Sequence, residues 1–255
     1  MVRVGQSNVI GVVILITVVL IISAVFLVYA MGNFNRAAAS AALAQVESFL
    51  TNVADDVEAS MYVSGTVLVY PTPSTGYGAF NLIDRYCNYS IGSYGNFTSG
   101  AVVYGIPPNL LSYPAKFINV IRGGYSNGLP SAAVDAPIVN NSAAPLISIV
   151  QFGYGNVLGV AYGTYLVVFP RVMIIENPPS AYIYIPVFNT MPNTALGSRA
   201  TLIINVTDVE STVISLPSGS SVAVSGMCGG LSESITINGI DNIRIIIINM
   251  TITFR

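Results

Sequence analysis

The chain contains no histidine and no tryptophan. The first absence removes every mechanism that needs an imidazole as base, nucleophile partner or metal ligand, and with it the usual Ser-His-Asp and Cys-His hydrolase arrangements. Charge is scarce as well: Asp, Glu, Lys and Arg make up 8% of the residues, against roughly a quarter in ordinary soluble domains. The net charge is -2 and Lys and Arg form no cluster, so neither nucleic acid nor an anionic membrane surface is an expected partner of the domain. Cysteine occurs twice, at Cys87 and Cys228, with no paired spacing and no histidine to complete a zinc site. No metal, no cofactor and no enzymatic activity are expected.

What the chain has instead is apolar residues, 53% of the total, unevenly spread. Val9 to Met31 is an uncharged apolar run, and no charge lies between Arg3 and Arg36. Its Val and Ile favour strand in water. In lipid, however, every backbone amide needs a partner within the segment, so a run longer than about 20 residues is expected to be a membrane-spanning helix. Ser7 or Asn8 is the expected N-cap. Beyond Arg36 the pattern turns Ala-rich and amphipathic. Leu43, Val46, Phe49, Leu50, Val53, Val57 and Met61 recur at steps of three and four, Glu47, Asp55, Asp56 and Glu58 mark the solvated or subunit-facing side, and Gly65 is the expected stop. A continuous helix from Val9 to Val63 is about 80 Å long at 1.5 Å per residue. A signal peptide has no use for the second half.

After Gly65 the period changes to two, and clusters of Gly, Pro, Asn and Ser separate short Val, Ile and Tyr runs, the pattern of an all-β domain. Strands are expected at 66–70, 101–104, 146–152, 157–169, 171–175, 181–187, 200–207, 220–225, 232–237 and 243–254, with long loops from Pro71 to Pro114. No helical pattern lies between them, so a sandwich is expected rather than a parallel sheet. The fold class is α+β: residues 1–5 a leader, 6–64 a long helix (apolar over 9–31, amphipathic over 36–63), and 65–255 a β-rich, sandwich-like domain.

Few candidate sites survive. Gly153, Gly155 and Gly159 depart from a dinucleotide fingerprint in spacing and context and read as turn and strand glycines. Asp208 with Glu210 reads as a turn before it reads as a calcium site. Cys87 and Cys228 lie beyond the apolar run, where disulfides form; pairing is expected, with two buried free thiols the alternative. The strongest repeated motif is Asn-X-Ser/Thr, at Asn88, Asn96, Asn140, Asn205 and Asn249, giving candidate N-glycosylation sites. Alternation in 243–255 and 201–207 points Asn249 and Asn205 outward.

A short leader with one basic residue, Gly5 before the polar Gln6, an apolar helix starting almost at once, its amphipathic continuation and a β-rich domain together resemble an archaeal type IV pilin. The resemblance covers roughly the first 60 residues by motif and the remainder by architecture. It implies cleavage of a class III signal peptide between Gly5 and Gln6 by a prepilin peptidase, residence in the membrane, and then self-assembly of the helices into the core of an extracellular filament. Val12, Leu15, Val19, Ile22 and Phe26 are the expected assembly contacts. Archaellins, the motility filament subunits, share these features. The competing readings are an extracellular binding domain or stalk anchored in the membrane, a protein secreted after cleavage at Ala30, and a secreted enzyme. Intact-mass measurement of the mature chain separates them: a start at Gln6 is expected, a start at Met31 identifies ordinary secretion, and a start at Met1 an uncleaved anchor.

Overall fold

The computed structural model describes residues 4–73, 76–126, 129–130, 137–140, 142–190 and 200–255. It opens with one helix, α1 (Val4–Ser60), whose 57 residues extend about 85 Å at 1.5 Å per residue. Neither Ser7 nor Asn8 caps it, because α1 has already begun at Val4; no proline stands before them to stop helical hydrogen bonding from running on toward the N-terminus. Gly32 and Asn33 leave it unbroken. It ends at Ser60 rather than at Gly65, and Gly65, at φ 85°, makes the turn into the first strand, donating its N–H to Val206 O at 2.8 Å.

The strands are β1 (Val67–Pro71), β2 (Ala79–Ile91), β3 (Gly95–Ile106), β4 (Ile118–Arg122), β5 (Tyr125–Ser126), β6 (Leu129–Pro130), β7 (Ile138–Val139), β8 (Ile147–Phe152), β9 (Gly155–Val157), β10 (Val160–Tyr162), β11 (Thr164–Pro170), β12 (Val172–Asn177), β13 (Ser180–Thr190), β14 (Thr201–Cys228) and β15 (Leu231–Phe254). The main sheet runs β4-β8-β11-β3-β2-β14-β15-β13-β12-β7, with β1 paired to the start of β14. Most pairs are antiparallel, but β13 lies parallel to β15 and β12 to β7. The sheet folds over at the β2–β14 pair, so that β13 packs across onto β3 and β2. This makes a sandwich of its two ends.

Two cores result. One lies between the layers, built from residues such as Tyr89, Val103, Phe169, Ile183, Val224 and Ile245. The other lies under the second half of α1, where Ala39, Leu43, Val46, Leu50, Val53, Ala54, Val57 and Met61 are buried against Val102, Val168, Phe188, Ile204, Ile252 and Phe254. The expected stripe is therefore the packed face, joined by two alanines that allow close approach. Phe49 sits at its margin, edge-on to Tyr70 and Phe80 at centroid distances of 6.4 and 6.3 Å.

Three sequence expectations fail for physical reasons. The segment from Pro71 to Pro114 is not loop but holds β2 and β3. In β2 the alternation is hidden by a bulge between Ile83 and Cys87, with Arg85 at φ 53°, and by the buried Asn81, whose Nδ2 donates to Tyr162 Oη at 2.7 Å. In β3, Gly100 answers a close approach rather than a turn: a Cβ there would stand 2.2 Å from Thr190 Oγ1. Residues 157–169 are split by the Leu158–Gly159 turn into pieces of β9, β10 and β11. Conversely, the two strands expected over 200–207 and 220–225 are one, β14, and those over 232–237 and 243–254 are one, β15. Pro217 to Gly219 is absorbed by register shifts between Ser215 and Val222, and the hairpin turns at Gly229 and Gly230, whose φ values of 52° and 92° suit glycine.

Candidate functional site

The residues expected at subunit contacts lie on the half of α1 that, among the described residues, no part of the domain covers. Val12, Leu15, Val19, Ile22 and Phe26 are 58%, 65%, 53%, 63% and 68% exposed. Their neighbours Ile14, Leu20, Val25 and Val28 are as open, so this half is apolar on every side rather than along one stripe. Thr17 does not interrupt it, because its hydroxyl donates back to Val13 O at 2.8 Å. The helix is long and apolar enough to cross a membrane. The Gly5-Gln6 bond lies in the first turn of α1, and Arg3 is outside the described residues.

Where α1 reaches the domain, the carboxylates read from sequence as a solvated or subunit-facing side are partly turned inward. Glu58 Oε1 accepts from Arg122 Nη1 at 2.6 Å and from the Ile147 N–H at 2.6 Å, while Asp55 Oδ1 accepts from Arg122 Nη2 at 2.9 Å. Arg122 thus ties the helix to β4 and β8. Burial opposes its charge, but the hydrogen bonds and charges of Glu58 and then Asp55 outweigh that and raise its pKa. Tyr70 Oη donates to Asp56 Oδ2 at 2.8 Å, and partial burial followed by this bond pushes the phenol up to about 12. A phenol raised on folding contributes fully below its unfolded pKa near 10 and loses that contribution as pH climbs through about 12, so the contact is intact at neutral pH.

Cys87 and Cys228 stand directly opposite each other on β2 and β14 and form a disulfide across 141 residues of sequence. Closing a loop of that size stabilises by roughly 4–5 kcal/mol on chain-entropy grounds. The sequons cluster in a way the sequence did not disclose. Asn88 pairs with Thr98 and Ser90 with Asn96, so two sequons face each other across the β2–β3 hairpin, and both asparagines are exposed. Asn205 pairs likewise with Thr251, beside Asn249, and both of these asparagines are half-buried on the face away from Ile204 and Ile252. Asn140 is exposed at the end of β7; its neighbour Asn141 is outside the described residues. The β2–β3 pair, together with Ser225, Met227, Ser232 and Ser234, lines an open trough of about 660 Å³. Register alone could have revealed these pairings.

No metal-binding cluster of three or more His, Cys, Asp or Glu occurs among the described residues, and Asp208 Oδ1 accepts from the Val209 N–H at 2.8 Å. Gly153 sits where a Cβ would stand 1.8 Å from Pro114 O, a packing reason for glycine. No protein-family description and no solved structure matches the chain. Among curated proteins, 121 residues, 47% of this chain, are 31% identical to the D-(-)-3-hydroxybutyrate oligomer hydrolase of Albidiferax ferrireducens. The chain spans 16% of the length of that relative.

The Arg122 contacts differ in depth, since the Glu58 side chain is 21% exposed and that of Asp55 60%. Replacing Arg122 with Met strands the Glu58 carboxylate and is expected to cost about 2 kcal/mol, below the 3–5 of a fully buried pair. Asp55→Asn is expected to cost less than about 0.5 kcal/mol. Denaturant unfolding of the full chain in detergent checks both, and equal effects would place the main interaction on the wrong carboxylate.

Proposed function

We propose that the chain is the structural subunit of an extracellular filament of the archaeal type IV pilus kind, an adhesion filament, with apolar helices bundled at the axis and β domains outside. The observation that carries this reading is that α1 is one uninterrupted helix, docked on its own domain over its second half and apolar all round and uncovered over its first. The domain holds the helix rigidly in that pose through the core under Leu50 and the Arg122 clamp. A helix so presented can be covered by lipid before assembly and by identical helices after it. Cleavage at Gly5-Gln6 by a prepilin peptidase belongs to the same reading, as do glycans on the sequon asparagines.

A membrane-anchored extracellular binding domain or stalk is the second reading, favoured by the same uniform apolar surface, which lipid satisfies equally well. An acyl hydrolase of the His-dependent type is not supported, because no histidine is available.

Val19→Asp tests the assembly reading. In a helix bundle it places an unpaired carboxylate at every repeat of the core, at several kcal/mol per copy, and filaments should disappear while the β domain still folds. Filaments of normal number and stability from that variant, counted by electron microscopy of sheared cells, would refute the assembly reading.

A further inference from the structure

We infer that the cleft at the junction of α1 and the β domain is a binding site for the phosphodiester headgroup of an anionic membrane lipid. The cleft, about 370 Å³, is walled on one side by Val28, Tyr29, Gly32, Asn33, Asn35 and Arg36 of α1 and on the other by Asn109 and Leu110 of the turn after β3. Tyr29, Asn33 and Arg36 follow one another at steps of four and three and so share a face of the helix. The space beside Gly32 on that face is open, for a Cβ there would meet nothing within 4 Å.

Depth and chemistry agree on the ligand. The apolar run ends at Met31, and Arg36 is five residues further, about 7.5 Å along the axis, which is the thickness of the headgroup layer on one side of a bilayer. Tyr29 falls at the boundary where aromatic rings with a polar tip settle. The cleft offers a guanidinium, matched to phosphate, and three amide side chains as donors, with Val28 and Leu110 against the start of an acyl chain. No carboxylate lines it, so the cation of a zwitterionic headgroup finds no partner there. Recognition of one headgroup by a single cleft needs no basic patch, consistent with the low charge of the domain. The site acts while α1 is in a bilayer, which both functional readings require, so its failure would leave the filament reading untouched.

The test uses the full chain in detergent micelles, with retained lipid counted by native mass spectrometry. Phosphatidylglycerol is expected to be retained at one per chain in preference to phosphatidylcholine. Arg36→Gln should weaken retention about fivefold, and Gly32→Leu, which fills the cleft without changing charge, should also weaken it, whereas Arg244→Gln, on an exposed strand position, should not. Equal retention of the two lipids, or wild-type retention by both cleft variants, would overturn the assignment. Displacement of the lipid by millimolar inorganic phosphate would overturn it too, by showing that the site takes the free anion.

Discussion

An apolar surface on every side of a helix has to be covered, and in this chain no described part of its own domain covers it. Burying a large aliphatic or aromatic side chain contributes about 1.5–3 kcal/mol, so the row Val12, Leu15, Val19, Ile22 and Phe26 alone contributes on the order of 10 kcal/mol, as much as the whole stability of a typical domain. A partner that buried this row would therefore contribute about as much as folding does. The remaining architecture holds that surface out in a fixed direction.

The means are successive and local. Alanines and branched residues let the second half of α1 lie close on the sheet, and Phe49 fills the margin between Tyr70 and Phe80. Arg122 reaches from β4 to Glu58 and Asp55, fixing the rotation of the helix about its axis. Beside that joint β13 packs across onto β3 and β2, and the Cys87–Cys228 disulfide pins β2 to β14. Nearer the start of the docked half, away from the Arg122 contact, a polar cleft around Arg36 lies between α1 and the turn after β3.

The helix was legible because its two halves carry unmixed signals, a run without charge and then a stripe at steps of three and four. The β domain was legible as a class but not as a topology. Asn81 and Ser99 point inward where a sequence pattern expects apolar residues, because each meets a buried partner: Tyr162 Oη for Asn81 and the Phe188 N–H for Ser99. Gly100 and the Pro217–Gly219 cluster look like loop residues and instead serve tight packing and a bulge within a strand. Pairing partners hundreds of atoms away decide these positions, and neighbouring residues carry no trace of them. The same limit hid the role of Glu58, a surface-looking carboxylate whose partner is 64 residues distant. The facing sequons of β2 and β3 were hidden for another reason: they sit within ten residues of each other, on a hairpin that the Gly, Tyr, Asn and Ser content had disguised as loop.

The central claim is that copies of this chain, rather than lipid, cover the first half of α1 in its working state. Cells of the native source are sheared without detergent and the supernatant is separated from membranes. The account predicts that the chain, with Val12 to Phe26 intact, is recovered there in detergent-free filaments of which it is the main component. Recovery only from the membrane fraction, and only after detergent extraction, would contradict it.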